Sequence, residues 1–266
     1  MRICRIALDG EHPYGVIEGD AVALITGVPW GAFEPDGRVL KLSDVRLTAP
    51  VLPSKIVAVA KNYLDHVREM GGEAPPAEPM IFLKPSTSVI GPGDPIVLPW
   101  QSEQVEHEAE LAVVMGVWCR DVSVDDALDY VAGYTCANDV TARDLQRTDG
   151  QWGRAKGFDT FCPLGPVLVT RDEIPNPNAL RIRTILNGET MQDSNTKQLI
   201  FRLDEVIAYM SQIFTLEPGD LIFTGTPSGV GMARKPPRFL QPGNVLETWI
   251  EGIGRLRNRI TAGAAS

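Results

Sequence analysis

The stretch VEHEAELAVVM, residues 105–115, constrains the fold more than any other part of the chain. In an extended strand every second side chain falls on one face. Glu106, Glu108 and Glu110 then share a face that runs on into Ala112 and Val114, while His107, Ala109, Leu111, Val113 and Met115 occupy the other. Carboxylates crowded together repel one another and, where water is scarce, need protons or a cation. A hard divalent ion such as Mg²⁺ or Mn²⁺, which prefers oxygen ligands, suits such a set. A strand with a solvated acidic face has the same pattern, and these residues alone leave both readings open. A second piece is Asn138-Asp139, behind the run GYTCA. It can deliver a further carboxylate at a strand end, although an Asn-Asp pair by itself is more often a turn.

The surrounding sequence is α+β and rich in strands. Residues 1–50 read as a small β-rich domain, with runs at Arg2–Leu8, Tyr14–Ile17 and Ala21–Ile25 separated by Asp-Gly and Gly-Asp turns. Leu47–Pro53, with two prolines, reads as a linker into a domain over residues 51–266, which opens on the strand Lys55–Ala60. A helix is expected from Asn62 to Met70, stopped by Gly71-Gly72, with Tyr63, Val67 and Met70 on its apolar face. His66 and Glu69 lie three apart on a neighbouring face. A Pro/Gly-rich stretch follows from Pro75 to Pro99. Further helices are expected at Ser123–Tyr130, capped by Ser123 and ended by Gly133, and at Asp204–Ile213. Asn187-Gly188 marks a hairpin, and Pro218-Gly219 and Pro242-Gly243 mark turns before strands. The tail from Thr261 is expected to fray.

Composition narrows the class. The formal net charge of −9 disfavours nucleic acid and anionic membrane surfaces as partners. Cys4, Cys119, Cys136 and Cys162 form no C-x-x-C pair and read as buried, reduced thiols of a cytoplasmic protein. No apolar run is long enough to span a bilayer, and the charged, glycine-containing N-terminus is unlike a signal peptide. Gly225–Gly231 has the spacing of neither a P-loop nor a dinucleotide fingerprint, and Ser228 lacks the glycines of a nucleophile elbow. His12 reads as solvated, and His107 as a packed, hydrogen-bonded residue on the face away from the carboxylates.

Taken in order, KIVAVAKNYLDHVREM, PMIFLKPSTSVIGPGDPIVLP, VEHEAELAVVMG, GYTCANDVTARDLQ, AKGFDTFCPLGP and GDLIFTGTPSGVG resemble the fumarylacetoacetate hydrolase family across residues 55–231. The resemblance implies a mixed β-roll, a small N-terminal β domain and a homodimer. It implies that Glu108, Glu110 and Asp139 bind Mg²⁺ or Mn²⁺, leaving out Glu106. His66 and Glu69 become an acid–base pair on a lid helix, and Lys156 an active-site lysine. Arg143, Gln146 and Thr226 become substrate contacts. Where the family commonly has Gly-Arg before Asn-Tyr, this chain has Ala60-Lys61, which keeps the charge without arginine's bidentate fork.

The activity so implied is divalent-metal-dependent C–C bond cleavage of a small 2-oxo acid through a metal-bound enolate, either acylpyruvate hydrolysis or oxaloacetate decarboxylation. The partner is a small anionic 2-oxo or enol acid. The alternative within the family is an isomerase of the 2-hydroxyhepta-2,4-diene-1,7-dioate type. An alternative of another class is a non-catalytic metal-binding protein on the same fold.

Overall fold

The computed structural model describes residues 1–264. The N-terminal fifth forms β1 (Arg2–Ala7), β2 (Tyr14–Glu18), β3 (Ala21–Gly27), β4 (Phe33–Lys41) and β5 (Arg46–Thr48). Then come β6 (Ile56–Ala60), α1 (Leu64–Glu69), β7 (Met80–Lys84), β8 (Val89–Ile90), β9 (Ile96–Leu98), β10 (Val105–Glu106) and β11 (Ala109–Met115). The middle of the chain supplies β12 (Val131–Asn138), β13 (Thr141–Ala142), α2 (Arg143–Asp149), α3 (Gly153–Gly157) and β14 (Cys162–Thr170). Last are β15 (Arg181–Leu186), β16 (Glu189–Asn195), α4 (Leu203–Ile213), β17 (Leu221–Phe223), β18 (Val245–Ile250) and β19 (Gly254–Ala262).

Most strands join one mixed sheet whose path runs β4-β3-β2-β1-β14-β12-β11-β17-β6-β7, with β5 beside β1 and β8 beside β14. The N-terminal strands enter it through the antiparallel pair of β1 with β14. A second sheet, β16-β15-β18-β19-β9, packs against β11, β12 and β14. Strand β11 is central and buried on both faces, and its alternation decides which core each residue joins. Ala109, Leu111, Val113 and Met115 pack with Ile182, Ile250 and the apolar side of α4, while Ala112 and Val114 pack with Ile56, Leu221 and Phe223. The carboxylates of the latter face therefore sit at the end of an apolar wall.

Several local signals act as their chemistry requires. Asn187 and Gly188 both take positive φ, 52° and 84°, as the tight β15–β16 turn needs. Gly219 and Gly243 do so at 88° and 89° just before β17 and β18. α4 follows the expected span within a residue.

Other expectations are corrected. The linker begins at Ala49, because Leu47 and Thr48 pair with β1 in β5. The segment Ser123–Tyr130 is no α-helix. Ser123 caps a turn that leads into a single 3₁₀ turn at Ala127–Tyr130. Both ends are pinned, Val122 N–H to Ser211 Oγ at 3.0 Å and the Tyr130 carbonyl to Gly116 N–H at 2.7 Å, which leaves no length for a longer helix. Gly133 lies inside β12, where a Cβ would stand 2.2 Å from the Val169 carbonyl oxygen. α1 starts two residues late, because Asn62 points its amide at Phe201 and Thr224 instead. The Pro/Gly-rich stretch contains β7, β8 and β9. Thr261 and Ala262 pair with Val97 and Leu98 rather than fraying, while Ala265 and Ser266 lie outside the described residues. Among the described residues no helix is long and apolar enough to cross a membrane.

Candidate active site and metal centre

The strand expected over Glu106–Met115 is interrupted at His107 and Glu108. Val105 pairs with Ala142 and Glu106 with Thr141; after the gap Ala109 pairs with Asn138. The two ladders share one register, so Glu108 stands opposite Asp139 and Glu110 follows one pleat further on. Side-chain amides satisfy the backbone across the gap. Glu108 N–H donates to Asn138 Oδ1 at 3.0 Å and Ala109 N–H to Gln192 Oε1 at 3.0 Å, while Asp139 N–H donates to the Glu108 carbonyl at 2.8 Å.

Carboxylate oxygens of Glu108, Glu110 and Asp139 consequently lie within 4.8 Å of one another, all buried. Glu106 is also buried but faces elsewhere, accepting from Arg143 and from the Met232 backbone N–H. Arg143 bridges Glu106 and Glu108 and donates to Gln146 Oε1 at 2.7 Å. Lys156 Nζ donates to Glu108 Oε2 at 2.7 Å and to Asp139 Oδ2 at 2.5 Å. Lys84 Nζ holds the other Asp139 oxygen at 2.7 Å and also the Lys156 carbonyl. The Gly225 N–H donates to Glu110 Oε2 at 2.7 Å.

Protonation follows from these partners. Burial pushes Glu110 well above the usual carboxylate range, and the charges of Asp139 and Glu108 push it further. Burial also acts on Glu108, but Arg143 and Lys156 outweigh it and hold that carboxyl low. For Glu106 burial wins over Arg143 and the shift is upward. Burial works against the Lys156 ammonium, yet Asp139 and Glu108 keep its pKa raised. Four buried carboxylates thus face three buried cations, Lys84, Arg143 and Lys156. The donors at the triad are oxygens alone, and one of them, Glu110, has no cationic hydrogen-bond partner among the described residues. A hard divalent ion fits that set.

His66 Nδ1 lies 2.8 Å from Glu69 Oε1 within α1, the two residues sharing a face as their spacing requires. Glu69 is itself held by the Gly229 N–H at 2.9 Å, and Asp65 accepts from Ser228 Oγ at 2.6 Å. The loop at 226–229 is therefore bonded to α1 through Ser228 and Gly229. Thr226 Oγ1 donates to the Ala109 carbonyl at 2.9 Å, so it bonds across the fold and not within its own turn.

A cavity of about 180 Å³ joins these groups. It is lined by His66, the three carboxylates, Arg143, Gln146, Lys156 and Thr226, and also by Lys61, Met70, Phe82 and Trp152. All but one of the residues expected at a site line it; Glu69 stands just behind His66. Lys156 sits in α3, not in the glycine-rich loop its neighbours suggest. His12 is exposed, as expected. His107 is buried with Nε2 3.3 Å from the Gly229 carbonyl, and burial lowers its pKa to about 4. The four thiols are free and buried.

Lys84 is a site residue that patterning did not single out. Its one signal is a lysine closing the otherwise apolar run MIFLK. Phe82 and Trp152, which meet edge to face at 5.4 Å, had no signal beyond their type.

Residues 55–261 match the family described as "Fumarylacetoacetate (FAA) hydrolase C-terminal", and residues 1–50 match "Rv2993c-like, N-terminal". The chain is 46% identical to "Protein Rv2993c" of Mycobacterium tuberculosis (strain ATCC 25618 / H37Rv), covering 98% of each. It is 48% identical to "Oxaloacetate tautomerase FAHD2A, mitochondrial" of Homo sapiens, over 84% of this chain and 71% of that one. Among solved structures it is similar to 2-hydroxyhepta-2,4-diene-1,7-dioate isomerase from Mycobacterium marinum, with TM-score 0.89, 42% identity and all of both chains covered. It is also similar to maleylpyruvate hydrolase from Sphingobium sp. SYK-6 in complex with manganese (II) ion and pyruvate, with TM-score 0.81, 31% identity and coverage of 99% of this chain and 100% of that one.

Proposed function

The chain belongs to the fumarylacetoacetate hydrolase family, and from that premise we propose that it is a divalent-metal-dependent tautomerase acting on a small 2-oxo dicarboxylate of the oxaloacetate type. The observation that carries this reading is His66, backed by Glu69, lining the same small cavity as the three carboxylates. Keto–enol conversion needs one proton carrier, no water and no second substrate. A cavity of about 180 Å³ is below the ~300–1,000 Å³ that drug-sized ligands occupy, which favours a compact acid.

A divalent cation held by Glu108, Glu110 and Asp139 would supply a Lewis acid to the substrate's carboxylate and 2-oxo oxygens. The residues of the chain do the rest. Glu69 engages His66 Nδ1, so the other ring nitrogen is the one left to take a proton from the substrate's C3 or return it. In the enol-to-keto direction that nitrogen would take the enol oxygen's proton and deliver it to C3, so one base serves both ends and the formula is unchanged. Lys156 and Arg143 hold Glu108 ionised and in place. With one excess negative charge among the buried groups, a bound dication leaves the site net positive, which suits an anionic substrate. Met70, Phe82 and Trp152 supply the apolar wall that limits water.

Cleavage of a C–C bond is the second reading. The likeness to a maleylpyruvate hydrolase supports it, at lower identity than the likeness to the tautomerases. One experiment separates them. Ketonisation of enol-oxaloacetate is followed by ultraviolet absorbance on Mn²⁺-loaded protein while pyruvate is assayed in parallel. Ketonisation that EDTA and His66→Ala abolish, without pyruvate, supports the tautomerase. Pyruvate formed in step with oxaloacetate loss replaces it with the cleavage enzyme. Neither signal, with Mn²⁺ demonstrably bound, supports a non-catalytic protein.

A further inference from the structure

The carboxylate cluster and the His66–Glu69 pair sit on different elements, and the buried side chain of Gln192 is one of the links between them, beside those of Thr226 to the Ala109 carbonyl and His107 to the Gly229 carbonyl. Gln192, in β16 of the smaller sheet, is about 1% exposed. Its Oε1 accepts from Ala109 N–H at 3.0 Å and from Thr184 Oγ1 at 2.6 Å. Its Nε2 donates to Thr226 Oγ1 at 2.8 Å and to the Pro227 carbonyl at 2.7 Å. A primary amide has two acceptor sites and two donor hydrogens, so every one is used and the amide can face only one way. Ala109 lies between Glu108 and Glu110, and Thr226-Pro227 leads directly into Gly229, whose N–H holds Glu69. A continuous path of hydrogen bonds therefore runs from the strand carrying the carboxylates, through Gln192, to the backbone that seats the His66–Glu69 pair.

We infer that Gln192 is a positioning residue that sets the distance and angle between the carboxylate cluster and His66. It touches neither group. It acts by tying the interrupted strand to the Thr226–Gly229 loop. The carboxylates have supports of their own, Asn138 at the Glu108 N–H, Gly225 at Glu110 and Lys84 at Asp139. The His66–Glu69 pair is held through the loop, so loss of Gln192 falls on that side. The inference rests on the reading of His66 as the proton carrier.

Two variants and three readouts test it in the full chain. Gln192→Glu keeps the shape and the acceptors but removes both donors; Gln192→Leu removes all four bonds. Hydrogen exchange is measured on peptides covering α1, the 224–231 loop and β11. Mn²⁺ affinity is measured by electron paramagnetic resonance, and steady-state kinetics on enol-oxaloacetate. The expected result is exchange protection lowered by about an order of magnitude or more in α1 and the loop but kept in β11. Mn²⁺ affinity stays as in the parent, and kcat falls on the order of 10–100-fold with KM steady, as displacement of a catalytic group predicts. Protection and Mn²⁺ affinity lost together in β11 would reduce Gln192 to an ordinary stitch of the core and overturn the inference. Unchanged protection and kcat would overturn it too. If the parent protein converts no substrate, the proposed function fails, and the exchange and Mn²⁺ arms alone still decide the role of Gln192.

Discussion

Replacing Lys156 with methionine tests the electrostatic account of the site most directly. The Lys156 ammonium, about 3% exposed, is within hydrogen-bonding distance of both Glu108 and Asp139. Methionine fills a similar volume but leaves two buried carboxylates short of a partner. Breaking one side of a buried ion pair typically costs about 3–5 kcal/mol. For a chain of this size each kcal/mol moves the melting midpoint by roughly 2–4 °C, so Lys156→Met melts about 6–20 °C below the parent in EDTA. A divalent cation at about 100 times its Kd returns about 2.7 kcal/mol by mass action. The variant gains more than the parent, because the cation no longer shares Glu108 and Asp139 with an ammonium. Differential scanning calorimetry with EDTA and with saturating Mn²⁺ reads both effects. The gap between variant and parent must narrow when Mn²⁺ is added. An equal gap in both conditions would refute the claim that Lys156 and the cation act on the same carboxylates.

Three other outcomes are expected. Glu69→Gln removes the charge behind His66 without touching the carboxylates, so kcat falls on the order of 10–100-fold while Mn²⁺ affinity, followed by water-proton relaxation, does not move. Gly229→Ala forces a side chain into a φ of +103° and a Cβ to 2.2 Å from the Met191 carbonyl oxygen; it lowers stability by about 1–3 kcal/mol and kcat with it, read by a melt and a rate assay. Burial raises the Cys4 thiol to about 11. The unfolded chain ionises this thiol near pH 9 while the folded chain retains the proton, so this thiol's contribution to stability is constant below pH 9 and is lost between pH 9 and 11. The loss is on the order of 3 kcal/mol, and urea titrations of Cys4→Ala against the parent show it as a slope that disappears.

The local half of this site is legible in the chain itself. A period of two puts Glu108 and Glu110 on one face, and a spacing of three puts Glu69 beside His66. The Asn187-Gly188 turn and the stop at Gly71-Gly72 are equally local, because each depends on the φ of one or two residues. What joins these pieces depends on partners far away in sequence. Periodicity gave Glu106 the same standing as its neighbours. Only the interruption of the strand, held open by the Asn138 and Gln192 amides, turns Glu106 towards Arg143 and away from the triad. Asp139 becomes the third carboxylate because the β11–β12 register sets it across from Glu108, and nothing in an Asn-Asp pair specifies a register. Lys84 and Gln192 look like ordinary strand residues until sheet topology gives them Asp139 and Thr226 as partners. A strand's sequence determines where its side chains point; only its pairing in the tertiary fold determines what they reach.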